Sequence, residues 1–92
     1  MRRVHVVVGG MVQGVGYRYT LRMVARDCGV NGWVRNRRDG TVEAEVEGDD
    51  SRVDETLAWM AEGPPGARVD HALVTDVRPV GTESTFDVRE TV

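Results

Sequence analysis

Val4-His5-Val6-Val7-Val8 is a dense β-branched run, and it predicts a buried strand. Gly9-Gly10-Met11-Val12-Gln13-Gly14-Val15-Gly16 follows, and its glycine content predicts that the strand gives way to a loop. From Tyr17 the apolar period changes. Tyr17, Leu21, Val24, Ala25 and Cys28 share one face of a predicted helix, with Arg18, Arg22 and Arg26 on a neighbouring stripe and Gly29 as its stop. Gly32 to Asn36 regains strand character, and Asp39-Gly40 signals a hairpin. Thr41 to Glu47 alternates apolar and acidic positions, which predicts a strand with one solvated face, ended by Gly48.

Asp49, Asp50 and Ser51 offer caps for a second helix with Val53, Leu57, Met60 and Ala61 on its apolar face. Gly63-Pro64-Pro65-Gly66 stops it. A long strand is predicted over Val69 to Val80, with Pro79 near its end, and Phe86-Asp87-Val88 is a short final strand. The order β-α-β-β-α-β with a short extra C-terminal strand predicts an α+β fold. Two helices cannot cover both faces of so small a sheet, so both are expected on one face of an antiparallel sheet, the ferredoxin-like arrangement. Residues 1–92 are expected to form a single domain. That fold by itself specifies no activity.

Composition narrows the chemistry. Every basic residue is Arg, and without Lys neither a lysine Schiff base nor a P-loop lysine is available. The single Cys28 excludes an internal disulfide and a thiolate metal cage, and it suits a reducing cytoplasm. No apolar run has membrane-spanning length. A net charge of −3 argues against a broad nucleic-acid footprint. His5 and His71 are far apart in sequence, and neither has a partner at metal-ligand spacing, so no metal site is expected.

Two constellations carry candidate chemistry. The glycine loop can turn successive backbone N–H groups inward, and it feeds the N-terminus of a helix whose dipole favours an anion. Arg18, in the first turn, has a planar fork that can take two phosphate oxygens. A dinucleotide fingerprint does not fit this topology. The loop reads either as a phosphate cradle or as a flexible tight connection. Arg35-Asn36-Arg37-Arg38 reads either as a solvated hairpin tip or as a site in which Asn36 points inward and holds a water. In the second case the neighbouring arginines would concentrate an anionic substrate.

Together these stretches resemble the acylphosphatase family. Gly10-Met11-Val12-Gln13-Gly14-Val15-Gly16-Tyr17-Arg18 is similar to its phosphate-binding loop and catalytic arginine. Gly32-Trp33-Val34-Arg35-Asn36, Gly40-Thr41-Val42 and Gly48 are similar to its second motif, and Gly63 to Val69 to a stretch common in bacterial members. The resemblance covers nearly the whole chain. Tyr17 stands where most members carry Phe, so its hydroxyl needs water or a partner.

The resemblance implies an acylphosphatase that splits acyl phosphates into carboxylate and inorganic phosphate without metal or other cofactor. It implies that Arg18 and Asn36 are catalytic, with Arg18 on the phosphate and Asn36 orienting the water. The N–H groups of Val12, Gln13, Gly14, Val15, Gly16, Tyr17 and Arg18 would complete the cradle. The expected partners are a small acyl phosphate and inorganic phosphate as product and competitive inhibitor, with no nucleic acid and no membrane. The expected state is a cytoplasmic monomer.

Rival readings are a phosphate-sensing domain that keeps the cradle without turnover, an RNA-binding sheet using Arg35, Arg37 and Arg38, and the acylphosphatase-like part of a larger carbamoyl-transfer protein. Intact Arg18 and Asn36 weigh against the first, and only five aromatic residues, scattered along the chain, against the second. The short chain without linker ends favours a free-standing enzyme over the third. Cys28 is expected at the helix end against the core, Trp33 in core or rim packing and Trp59 partly exposed. Glu43, Glu45 and Glu47 are expected on a solvated strand face.

Overall fold

In a computed structural model describing residues 1–92, the elements run β1 (Arg2–Met11), α1 (Tyr17–Cys28), β2 (Asn31–Asn36), β3 (Val42–Gly48), α2 (Asp50–Glu62), β4 (Arg68–Val77) and β5 (Phe86–Val88). They form one five-stranded sheet in the order β4-β1-β3-β2-β5. β1 pairs antiparallel with β3 and β4, and β2 antiparallel with β3, as the ferredoxin-like reading requires. The short β5 runs parallel to β2, so the sheet is mixed.

Alternation along the central strands selects the face that meets the helices. Val4, Val6 and Val8 of β1, Val42, Ala44 and Val46 of β3, and Val34 of β2 are all fully buried. Tyr17, Leu21 and Ala25 of α1 and Val53 and Met60 of α2 close the same core, joined by Phe86 of β5. In α2, Ala61 is exposed and Thr56 takes a buried place, its hydroxyl donating to the Arg52 carbonyl oxygen at 2.9 Å.

Three expectations about the strands need correction. β1 does not end at Val8: Gly9, Gly10 and Met11 continue it and pair with His71, Val69 and Arg68 of β4 across a register shift between Gly9 and Gly10. The glycines allow close approach here. A Cβ on Gly9 would collide with the His71 ring, and one on Gly10 with the Arg68 carbonyl oxygen. The acidic face of β3 is not solvated either. Glu43 and Glu47 are buried, and Glu45 is half-buried, beneath arginines on the side of the sheet away from the helices. There Arg3 meets Glu45 at 2.6 Å, Glu47 at 3.3 Å and Glu83 at 2.7 Å. Glu43 takes Arg35 and His5, each at 2.7 Å.

β4 is shorter at its C-terminal end than the hydrophobic pattern predicted and forms a sheet edge, with Leu73 and Val74 exposed. Asp70, Thr75 and Asp76 interrupt its apolar residues, as edge strands commonly require.

Candidate active site

The loop between β1 and α1 follows from its glycines. Gly14 and Gly16 lie at φ 77° and 79°, left-handed values that residues with a Cβ rarely adopt. Gly16 is also the N-cap of α1. It has no side chain to bond the first turn, and that turn carries no acidic residue. The usual internal partners of a helix N-terminus are therefore missing.

The first backbone donor of the helix that finds an acceptor is Thr20, whose N–H donates to the Gly16 carbonyl oxygen at 3.0 Å. The run of N–H groups from Val12 to Tyr19 has no acceptor elsewhere in the chain. A row of unspent donors at the positive end of a helix dipole is an anion-binding arrangement.

A cavity of about 220 Å³ opens at this point, lined by Val12, Gly14, Gly16, Tyr17, Arg18, Tyr19 and Asn36. Arg18, in the first turn of α1, and Asn36, the last residue of β2, thus meet at one site. Arg18 has no carboxylate within ion-pair distance, whereas Arg3 and Arg35 are neutralised by glutamates. Its guanidinium carbon lies 5.5 Å from the Tyr19 ring centroid, a contact that leaves its hydrogens for other acceptors. The Asn36 Oδ1 is buried and accepts no hydrogen bond from the protein. A buried amide oxygen without a donor is costly unless something is delivered to it.

A protein-family model, Acylphosphatase, matches residues 4–88. The chain belongs to the acylphosphatase family. It is a hydrolase acting on acyl phosphates. It is 54% identical over 87 residues to an acylphosphatase of Bordetella parapertussis, covering 95% of this chain and 84% of the relative. It is 49% identical over 81 residues to an acylphosphatase of Thermococcus kodakarensis, covering 88% and 89%. The crystal structure of the acylphosphatase from Bacillus subtilis superposes with a TM-score of 0.92 at 34% identity, covering 97% of this chain and 99% of that one.

Within this acylphosphatase fold, the loop residues of the sequence motif divide by role. Val12 is buried and Val15 packs against the core, so both anchor the loop. Gln13 is not among the cavity-lining residues, and its side chain bonds the β2–β3 hairpin. Tyr19 lines the cavity although its sequence position gave no sign of it, since it falls beside the apolar stripe of α1.

Of the arginines after β2, Arg35 is held by Glu43 and stacks at 4.7 Å on Trp33, and Arg37 lies 3.7 Å from Glu43. That leaves Arg38 without a carboxylate partner to draw in an anion. Trp33 is nearly buried between Arg35 and Arg89, so the open sheet face offers no stacking platform for bases. No group of three or more His, Cys, Asp and Glu side chains is arranged to hold a metal ion. No helix is long and apolar enough to cross a membrane.

Proposed function

We propose that Arg18 and Asn36 carry the hydrolysis, Arg18 on the phosphate and Asn36 on the attacking water. The observation that supports this is one cavity combining unspent backbone donors, an unpaired guanidinium and an unpaired buried amide oxygen. Donors and a cation suit phosphate oxygens, and the lone acceptor suits the hydrogen of a water.

In this reading the phosphate sits in the N–H groups of Val12 to Arg18, with the Arg18 fork across two of its oxygens. The Asn36 Oδ1 accepts one hydrogen of a water and aims its oxygen at phosphorus, opposite the acyl oxygen. The new P–O bond forms as the P–O bond to the acyl group breaks, and the electron pair leaves on the carboxylate. The water's other proton passes to a phosphate oxygen of the substrate. A carboxylate leaving group with a pKa of about 4 needs no general acid. A loose phosphoryl transition state is stabilised by positioning and fixed dipoles more than by a strong base.

Inorganic phosphate, the product, fits the same donors and acts as a competitive inhibitor. Residues 1–92 act as one domain, as a cytoplasmic monomer. Thermal melts with and without phosphate test the division of labour. Asn36→Ala keeps phosphate protection, and Arg18→Ala loses most of it. Equal protection in both variants, or its loss in both, contradicts the assignment.

A further inference from the structure

Gln13 lies inside the phosphate-loop motif, yet its side chain does not reach the cavity. Its amide nitrogen donates to the Arg37 carbonyl oxygen at 2.6 Å and to the Thr41 carbonyl oxygen at 2.8 Å. Both carbonyls lie at the neck of the β2–β3 hairpin, where the Arg37 N–H also donates to the Thr41 carbonyl oxygen at 2.9 Å and the Gly40 N–H to the Arg37 carbonyl oxygen at 3.1 Å. Arg37 directly follows Asn36. A primary amide carries two hydrogens on one nitrogen, which is what two neighbouring carbonyls require. A carboxylate of the same shape would set acceptors against acceptors.

These are the only side-chain hydrogen bonds between the loop and the hairpin. The Asp39 carboxylate, close by, bonds the backbone and hydroxyl of Thr41 and so braces the turn against itself. The hairpin tip, Arg38 to Gly40, is exposed. The cradle stands without the Gln13 side chain, built from the left-handed glycines at 14 and 16 and the first turn of α1.

We propose that Gln13 is a positioning residue, a strut that sets the Asn36 amide oxygen at its working distance from the phosphate cradle. The inference rests on the roles given above to Arg18 and Asn36. Removing the strut leaves phosphate binding in place and releases the hairpin from the loop. Asn36 is then held only by its β3 partner and the Val92 backbone, neither of which fixes its distance from the cradle. A displacement of about 1 Å in a positioned group costs on the order of 100-fold in rate. The loss therefore falls on kcat, and KM and the phosphate Ki hold.

The test measures kcat, KM and phosphate Ki with benzoyl phosphate for wild type, Gln13→Leu, Gln13→Met and Asn36→Ala, with the NMR signals of the Asn36 side-chain amide in saturating phosphate. The two Gln13 variants lose roughly 10- to 100-fold in kcat, keep Ki within about twofold, and broaden the Asn36 amide signals. The phosphate Ki also reports that each variant is folded, and the unbranched Gln13→Met serves if Gln13→Leu folds poorly. Unchanged kcat in both Gln13 variants with an inactive Asn36→Ala overturns the strut alone. A Ki that weakens in step with kcat also overturns it, since Gln13 would then build the cradle. Wild-type turnover in Asn36→Ala overturns the underlying reading instead.

Discussion

The Tyr17 hydroxyl donates to the Met60 carbonyl oxygen at 2.7 Å, supplying the donor that Pro64, four residues further on, lacks. A helix carbonyl ordinarily takes the N–H four residues ahead, and proline has none. The first turn of α1, which opens the cradle, is thereby fastened to the last turn of α2. Trp59 adds a tilted ring contact to Tyr17 at 5.3 Å. Tyr17 is buried, and that burial pushes its phenol above its ordinary pKa.

Tyr17→Phe keeps the packing and leaves the Met60 carbonyl oxygen unpaired, so unfolding free energy falls by about 1–3 kcal/mol. Urea denaturation of the two proteins measures it. An unchanged midpoint would mean that the hydroxyl stabilises nothing.

Gly16 and Gly32 separate two reasons for glycine. Gly16 lies at φ 79°, and a Cβ there would meet nothing nearer than the Thr20 hydroxyl at 4.0 Å. Gly16→Ala therefore costs only the left-handed conformation, about 1–2 kcal/mol, and weakens phosphate binding by disturbing the cradle. Gly32 lies at φ 141°, and a Cβ there would drive into the Glu45 carbonyl oxygen of β3, which the sheet holds in place. Gly32→Ala costs roughly 4 kcal/mol or more. Urea titrations of both variants check the order, and phosphate titration checks that Gly16→Ala affects the site.

Acid stability rests on the buried carboxylates of β3. Burial alone would raise Glu47, but bonds from the Val80 and Gly81 N–H groups and from Arg3 outweigh it and hold the carboxyl below its ordinary range. Glu43 is likewise raised by burial and lowered further by His5, Arg35 and Arg37. Both bind fewer protons in the folded than in the unfolded protein. Their stabilisation is complete above the ordinary value of 4.5 and is lost as pH falls through the lower folded values. Unfolding free energy is therefore level from about pH 7 to pH 5 and declines below that. Glu47→Gln lowers the plateau and makes the decline shallower. An unchanged slope in that variant would contradict the assignment.

Local chemistry was legible in the sequence wherever neighbouring residues decide the structure. Gly29 at φ 76° ends α1, the turn around Gly40 closes the β2–β3 hairpin, and the loop motif leads directly into Arg18. Of the candidate site, the motifs single out Arg18 and Asn36, which line one cavity from positions 18 residues apart. Features that depend on partners across the sheet were not legible. Gly9 and Gly10 look like strand breakers until His71 and Arg68 of β4 lie against them. Glu43, Glu45 and Glu47 look solvated until register brings Arg3 and His5 of β1 and Arg35 of β2 over them. Gln13 reads as part of the loop, and only the fold directs its amide to the hairpin.

Release of benzoate and phosphate from benzoyl phosphate in EDTA, followed for wild type, Arg18→Ala and Asn36→Ala, tests the central claim most directly. Wild type turns over rapidly, and each variant loses about 1000-fold or more in kcat/KM, as expected when a group stabilising or positioning the transition state is removed. Turnover that survives both substitutions, or wild type without turnover, would contradict the roles assigned to Arg18 and Asn36.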